Sequence, residues 1–194
     1  LDIQSHPDIV SDPGDDAAII NLPANTRWLQ SVDFFRSFID DPYLLGRIAA
    51  IHSLGDIYAM GGIPHSALVT AIIPYSSEPI MQETLLHLMR GVLKTLKDEN
   101  TALIGGHSGE GPEMAIGLTA NGTLPSIEAL TKSGLTPGDS LILTKPIGSG
   151  VLLAANMAAR CQGLWLDQAL AYMLQSNRAA ATILRSCAAR SCTD

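Results

Sequence analysis

The chain reads as an α/β (α+β) protein. Two long segments carry apolar residues at helical spacing. Around them lie short apolar or β-branched runs bounded by Gly, Pro and Asn. With 46% hydrophobic and 16% charged residues over 194 positions, the composition suits a packed core with few solvated helices. That length holds one domain, or one domain and part of a second. A division near Pro125–Gly138 gives segments 1–125 and 126–194.

Residues 1–14, with Pro7, Pro13 and Gly14, read as a lead-in loop. Ala17–Asn21 and Trp28–Phe35 read as strands separated by the Pro23-Ala24-Asn25 turn. Asp41-Pro42 is an N-cap followed by proline in the first turn, so a helix starts there. Its apolar stripe is Leu44, Leu45, Ile48, Ala49, Ile51, Leu54, Ile57 and Tyr58, and Gly61-Gly62 with Pro64 stops it. Ser66–Ile73 is a buried strand, and Pro79 to about Lys97 is a second helix. The inner face of that helix is expected at Leu85, Leu86, Met89, Val92, Leu93 and Leu96. Ala102–Ile104 is a short strand entering a glycine turn, Gly105-Gly106-His107-Ser108, and Met114–Leu124 is a further strand. Thr136-Pro137-Gly138-Asp139 forms a turn, Ser140–Thr144 a strand, and Val151–Arg190 is mostly helical.

The net charge of -7 and the lack of a basic stripe argue against a nucleic-acid partner. No apolar run reaches membrane-spanning length and no signal peptide is recognisable. Cys161, Cys187 and Cys192 form no CxxC pair, which disfavours a disulfide framework or zinc site and suits the reducing cytoplasm. Cys161 and Cys187 are expected in the core. The chain starts at Leu1 without Met and ends inside the run Cys192-Thr193-Asp194, so it is read as part of something longer.

The chemistry lies in four acidic clusters: Asp15-Asp16, Asp33 between Val32 and Phe34, Asp56, and Asp194. Carboxylates that converge repel unless a cation sits among them, and hard oxygen donors select Mg²⁺ or Ca²⁺. Metal-bridged nucleotide chemistry follows as the first reading. Alternation allows at most one of Asp15 and Asp16 to face a given site. Asp33 in an apolar strand needs a bonded or metal partner. Asp56 opposes the macrodipole at its helix C-terminus, so something must stabilise it, and it is the foremost metal candidate. His52, one turn earlier on the same face, is expected to pack or support rather than ligate. The Gly105–Ser108 turn can aim backbone N–H groups at an anion, with His107 and Glu113 as a pair that could hold it. Lys145 reads as either a phosphate contact or a solvated loop lysine. Neither GxxxxGK[ST] nor a dinucleotide GxGxxG is present.

In combination and order, these motifs resemble selenophosphate synthetase (selenide, water dikinase). The runs are Val32-Asp33-Phe34-Phe35, Asp40-Asp41-Pro42-Tyr43, Gly46-Arg47-Ile48-Ala49-Ala50 and Gly55-Asp56-Ile57-Tyr58-Ala59-Met60-Gly61-Gly62. Gly105-Gly106-His107-Ser108, Leu143-Thr144-Lys145-Pro146-Ile147-Gly148 and Cys192-Thr193-Asp194 continue them. That family sits in the ATP-binding superfamily of aminoimidazole ribonucleotide synthetase. The resemblance implies an N-terminal domain with a mixed or antiparallel sheet packed by helices, dimerising through that sheet, and an incomplete second α/β domain. It implies a reaction of ATP, selenide and water to selenophosphate, AMP and phosphate, with Mg²⁺. Asp16, Asp56 and Asp194 match metal ligands. Asp15, Asp33, Asp56 and Gly106-His107-Ser108 match nucleotide-contacting positions.

The chain departs from the family at His52, where Asn is usual, and at Gly14, where Arg is frequent. The family's Cys or selenocysteine and its Lys lie upstream, so no catalytic nucleophile is expected here, and the isolated chain is expected to be inactive. Phe34-Phe35-Arg36, Asp41-Pro42-Tyr43 and Leu174–Ala181 resemble a subgroup fused to an NADH-dehydrogenase-like domain. The alternatives are another ATP-dependent enzyme of the superfamily or a non-catalytic nucleotide-binding module.

Overall fold

The computed structural model describes residues 7–9, 20–22, 24, 26–124 and 129–194. Four strands, β1 (Arg27–Arg36), β2 (Ile63–Pro74), β3 (Ala102–Gly111) and β4 (Ala115–Leu124), form one mixed sheet in the order β1-β4-β2-β3. β4 runs antiparallel to both β1 and β2, while β2 and β3 are parallel. The parallel pair needs a crossover, and helix α2 (Glu78–Asp98) supplies it. Helix α1 (Pro42–Ala59) connects β1 to β2.

Both helices cover one sheet face. Val69, Ala71, Ile73, Ile116, Leu118 and Ala120 pack there with Leu45, Ile48, Leu54, Ile57, Leu88, Val92 and Leu96. The opposite face leaves Val32 70% and Phe34 59% exposed, with Leu68 beside them. α1 starts as its sequence dictates: the Asp41 carboxylate accepts from Leu44 N at 3.0 Å, and Pro42 fills the first turn, where no N–H is needed. It ends where Gly61 adopts a φ of +74°.

In the second segment, α3 (Ser149–Met157), α4 (Gly163–Met173) and α5 (Arg178–Ser186) account for the expected helical stretch. Leu153, Leu170, Met173 and Leu174 reach the core cluster. Residues 129–190 are also tied to the end of α1 by polar bonds. Leu130 N donates to Met60 O at 3.1 Å, and Arg185 donates to Gly61 O.

Several sequence expectations change. β3 does not stop at Ile104: it runs through Gly105–Ser108, so the supposed glycine turn is the edge strand of the sheet. Two glycines let it pass. Gly105 takes a φ of +150°. A Cβ on Gly106 would strike the Val69 carbonyl oxygen and lie 3.1 Å from Val69 C and N. Ser140–Thr144 forms no strand, because no partner backbone lies alongside it among the described residues; Leu141 is 84% exposed. On α2 Leu88, Val92 and Leu96 are fully buried, whereas Leu86, expected on the inner face, is exposed. Cys187 is exposed and Cys161 half-buried, so neither belongs to the core. The Ala17–Asn21 strand falls largely outside the described residues, of which Ile20 bridges to Ile9.

Candidate functional site

On β1 the side chains alternate. Val32, Phe34 and Arg36 are exposed on the open face, while Ser31, Asp33 and Phe35 are half-buried on the helix side. α1 lies across those three. Ser31 Oγ donates to Asp56 Oδ2, and the Phe35 and His52 rings meet edge to face, with centroids 5.0 Å apart at 84°. Asp33 lies between these two contacts along the strand.

Burial raises the Asp33 pKa most, followed by the charge of Asp56, with Asp194 also raising it; His52 and Ser53 act in the opposite sense. Ser53 eases the carboxylate without completing a bond: neither Asp33 Oδ2 nor Ser53 Oγ has a hydrogen-bond partner of normal geometry, although both atoms are buried. The Ser31 bond answers the question raised by Asp56, whose place near the helix C-terminus the macrodipole opposes.

The structure therefore brings Asp33 and Asp56 to one place, within electrostatic reach of Asp194. Asp15 and Asp16 lie outside the described residues. Gly106, His107 and Ser108 stand elsewhere: the register runs Asp33–Leu118–Val69–Gly106, one row across four strands. That places Gly106 three inter-strand spacings from Asp33, roughly 14 Å. Among the described residues no three His, Cys, Asp or Glu side chains form a metal-holding group.

Two expected contacts are corrected. Glu113 does not hold His107; it pairs with Arg36, at 2.6 and 2.7 Å. Lys145 is not a freely solvated lysine. Its ammonium donates to Gln175 O, and burial lowers its pKa.

Beside the site stands a polar cluster that sequence reasoning missed. Tyr58 donates to Glu99, whose other neighbour is Arg178 Nε at 3.5 Å; Arg178 Nη2 also donates to Asp98 O at 3.1 Å. Burial first, then Glu99, pushes the Tyr58 pKa up. The partners are 41 and 79 positions apart, so no local pattern could have signalled the cluster. Ser31 was also missed, although alternation along the strand, which puts it on the same face as Asp33, could have found it.

No helix of the described residues is long and apolar enough to cross a membrane. The AIR synthase related protein, N-terminal domain family matches residues 14–124. A selenide, water dikinase of Pelobacter propionicus is 34% identical over 196 residues, an alignment covering 100% of this chain and 56% of that protein. The chain thus spans about half the length of the curated relatives it matches. Thiamine-monophosphate kinase from Stenotrophomonas maltophilia has the same fold, with a TM-score of 0.77 at 21% identity over 93% of this chain and 60% of that one. The hydrogenase maturation protein HypE, solved in complex with ATP, matches 64% of this chain and 38% of its own with a TM-score of 0.55 and 18% identity. This chain belongs to the AIR synthase related family, and its curated relatives named selenide, water dikinase mark a kinase-type enzyme lineage.

Proposed function

We propose that this chain is the nucleotide- and metal-binding part of a selenide, water dikinase that converts ATP, selenide and water into selenophosphate, AMP and phosphate. The observation that carries the reading is the Asp33–Asp56 pair with Asp33 Oδ2 buried and unbonded. A buried carboxylate oxygen in that state suits a hard cation, and Mg²⁺ takes a few carboxylates together with substrate phosphates. The relatives' name and an ATP-bound neighbour of the same fold support a nucleotide as the ligand.

In this reading Asp16, Asp56 and Asp194 hold Mg²⁺, while Asp15, Asp33 and the Gly106-His107-Ser108 strand contact the nucleotide. Bound Mg²⁺ neutralises oxygen charge along the polyphosphate. Ser31 keeps Asp56 oriented towards the site. Leu118 and Ala120 are buried beside Asp33 and Ser31 in register on the neighbouring strand and keep water from that flank. No residue of this chain is assigned the role of nucleophile. Residues 1–125 form the nucleotide, metal and dimerisation unit, and 126–194 belong to a second α/β unit. A homodimer through the open sheet face would cover Val32 and Phe34. It would also allow the distant Gly106–Ser108 strand to serve a site shared between copies. Three free cysteines suit the cytoplasm.

Titration of Mg-ATP into the whole protein tests the site. Asp56→Asn should weaken affinity about tenfold or more, the scale of one lost charge-assisted contact, with a thermal midpoint no lower than that of the wild type. Unchanged affinity would remove Asp56 from the metal set. ³¹P NMR with Mg-ATP and selenide tests the reaction. A selenide-dependent selenophosphate signal with AMP is expected; ATP consumption without it would assign another acceptor, and absence of turnover would favour a binding module.

A further inference from the structure

We propose that His52 is a further nucleotide-contacting residue, its ring N–H donating to a polyphosphate oxygen beside the Asp33–Asp56 pair; this rests on the Mg-ATP reading above. The geometry comes from two elements crossing at fixed intervals. Ser31 and Phe35 are four residues apart on β1, about 13 Å. His52 and Asp56 are four residues apart on α1, about 6 Å. Asp56 meets Ser31 at one end and His52 meets Phe35 at the other. The helix pair is the shorter, so the two side chains splay outward and straddle the middle strand residue, Asp33.

His52 is exposed although Ile51 and Ser53 on either side of it are buried. An exposed ring would ordinarily rotate; the edge-on contact with Phe35 restricts it, which lowers the entropy lost when a ligand binds. Asp56 and Asp194 both disfavour charge on Asp33, whereas His52 and Ser53 act in the opposite sense. A polyphosphate entering beside these carboxylates needs donors as well as a cation, and His52 is the side chain already held there.

Mg-ATP, and separately Mg²⁺ alone, titrated into the whole protein and its His52→Ala, His52→Gln and Asp56→Asn variants decide the matter. His52→Ala should lose about tenfold or more in Mg-ATP affinity, the worth of a hydrogen bond to a charged group. Its affinity for Mg²⁺ alone and its thermal midpoint should not change. His52→Gln, whose amide N–H substitutes for a ring N–H, should recover much of the loss. If His52→Ala binds Mg-ATP as the wild type does while Asp56→Asn fails, His52 is only a packing residue and the inference is overturned with the site reading intact. Equal loss of Mg²⁺ alone, or no recovery in His52→Gln, also overturns it. Failure of the wild type to bind Mg-ATP overturns the site reading itself, and the inference with it.

Discussion

Gly91→Ala should destabilise the protein even though alanine is the better helix former. Gly91 on α2 and Gly46 on α1 let the two helices approach backbone to backbone. A Cβ on Gly91 would sit inside contact distance of the Tyr43 carbonyl oxygen, 2.9 Å from Tyr43 C and 3.0 Å from Arg47 N. A Cβ on Gly46 would strike Leu88 O in the same way. Carbon contacts rest near about 3.5–4.0 Å, so relief requires the helices to part by about 0.5–1 Å. Leu88, Val92 and Leu96 line α2 and are no more than 1% exposed. A buried leucine makes about 40–60 contacts worth ~0.1–0.2 kcal/mol each, and a gap of this size forfeits a quarter to a half of those it crosses. If half of the contacts cross to α1, each side chain loses about 1 kcal/mol, or about 3 kcal/mol for the three. The helical preference of alanine over glycine returns about 1 kcal/mol. The net loss is about 2 kcal/mol, a fall in thermal midpoint of about 4–8 °C for a chain of this size. Thermal unfolding followed by circular dichroism measures it. A midpoint equal to or above that of the wild type would refute the close-packing argument.

Two further predictions concern buried charge. Burial raises the Asp33 pKa above its ordinary value of 3.8, so the folded chain holds that proton more tightly than the unfolded one. The resulting cost is absent below pH 3.8, where both states are protonated, and is complete once pH has risen through the folded value. Asp33→Asn should therefore be more stable than the wild type at neutral pH without metal, and the difference should shrink on acidification towards 3.8; a difference that grows towards acid pH would contradict this. Glu99→Ala removes the acceptor shared by Tyr58 and Arg178 and should cost about 2 kcal/mol, below the full figure for a buried pair because Arg178 is half exposed. Hydrogen exchange should then rise first along α5, which Arg178 begins; unaltered exchange there would separate α5 docking from this cluster.

Much of the first segment was legible because it obeys local rules. Asp41-Pro42 and Gly61-Gly62 announce both ends of α1, and the 3.6-residue recurrence announces its length. Asp33 in an apolar strand signalled a carboxylate in need of a partner, and it lies half-buried on the helix side of β1. Legibility failed where a distant partner decides. Gly105–Ser108 has turn composition, yet its parallel pairing with β2, 37 positions earlier at Val69–Gly106, holds it extended. Ser140–Thr144 has strand composition, yet none of the described residues pairs with it. Leu86 and Leu88 are equally apolar, and the crossing with α1, seated by Gly91, decides which is buried. The Tyr58–Glu99–Arg178 cluster is an extreme case, assembled from three elements with no shared pattern.

α1 explains why fold and site are inseparable here. Eleven of its 18 residues are buried, so its orientation is set by contacts around much of its circumference. Its N-terminal half supplies Gly46 to the seam with α2. Its C-terminal half presents His52 and Asp56 to β1, and Tyr58 to Glu99 and the second segment. An aspartate at the C-terminal end of such a helix is unfavourable in isolation, since burial and the macrodipole both act against it. Ser31 offsets part of that through one hydrogen bond. The opposite sign of effort appears at Asp33, where a buried oxygen is left without a hydrogen bond of normal geometry and a second carboxylate stands nearby. A helix fixed this firmly keeps two mutually repelling carboxylates near one another, as the proposed cation site needs. A looser element would let them relax apart, and the proposed metal and polyphosphate site would lose its pair of carboxylates.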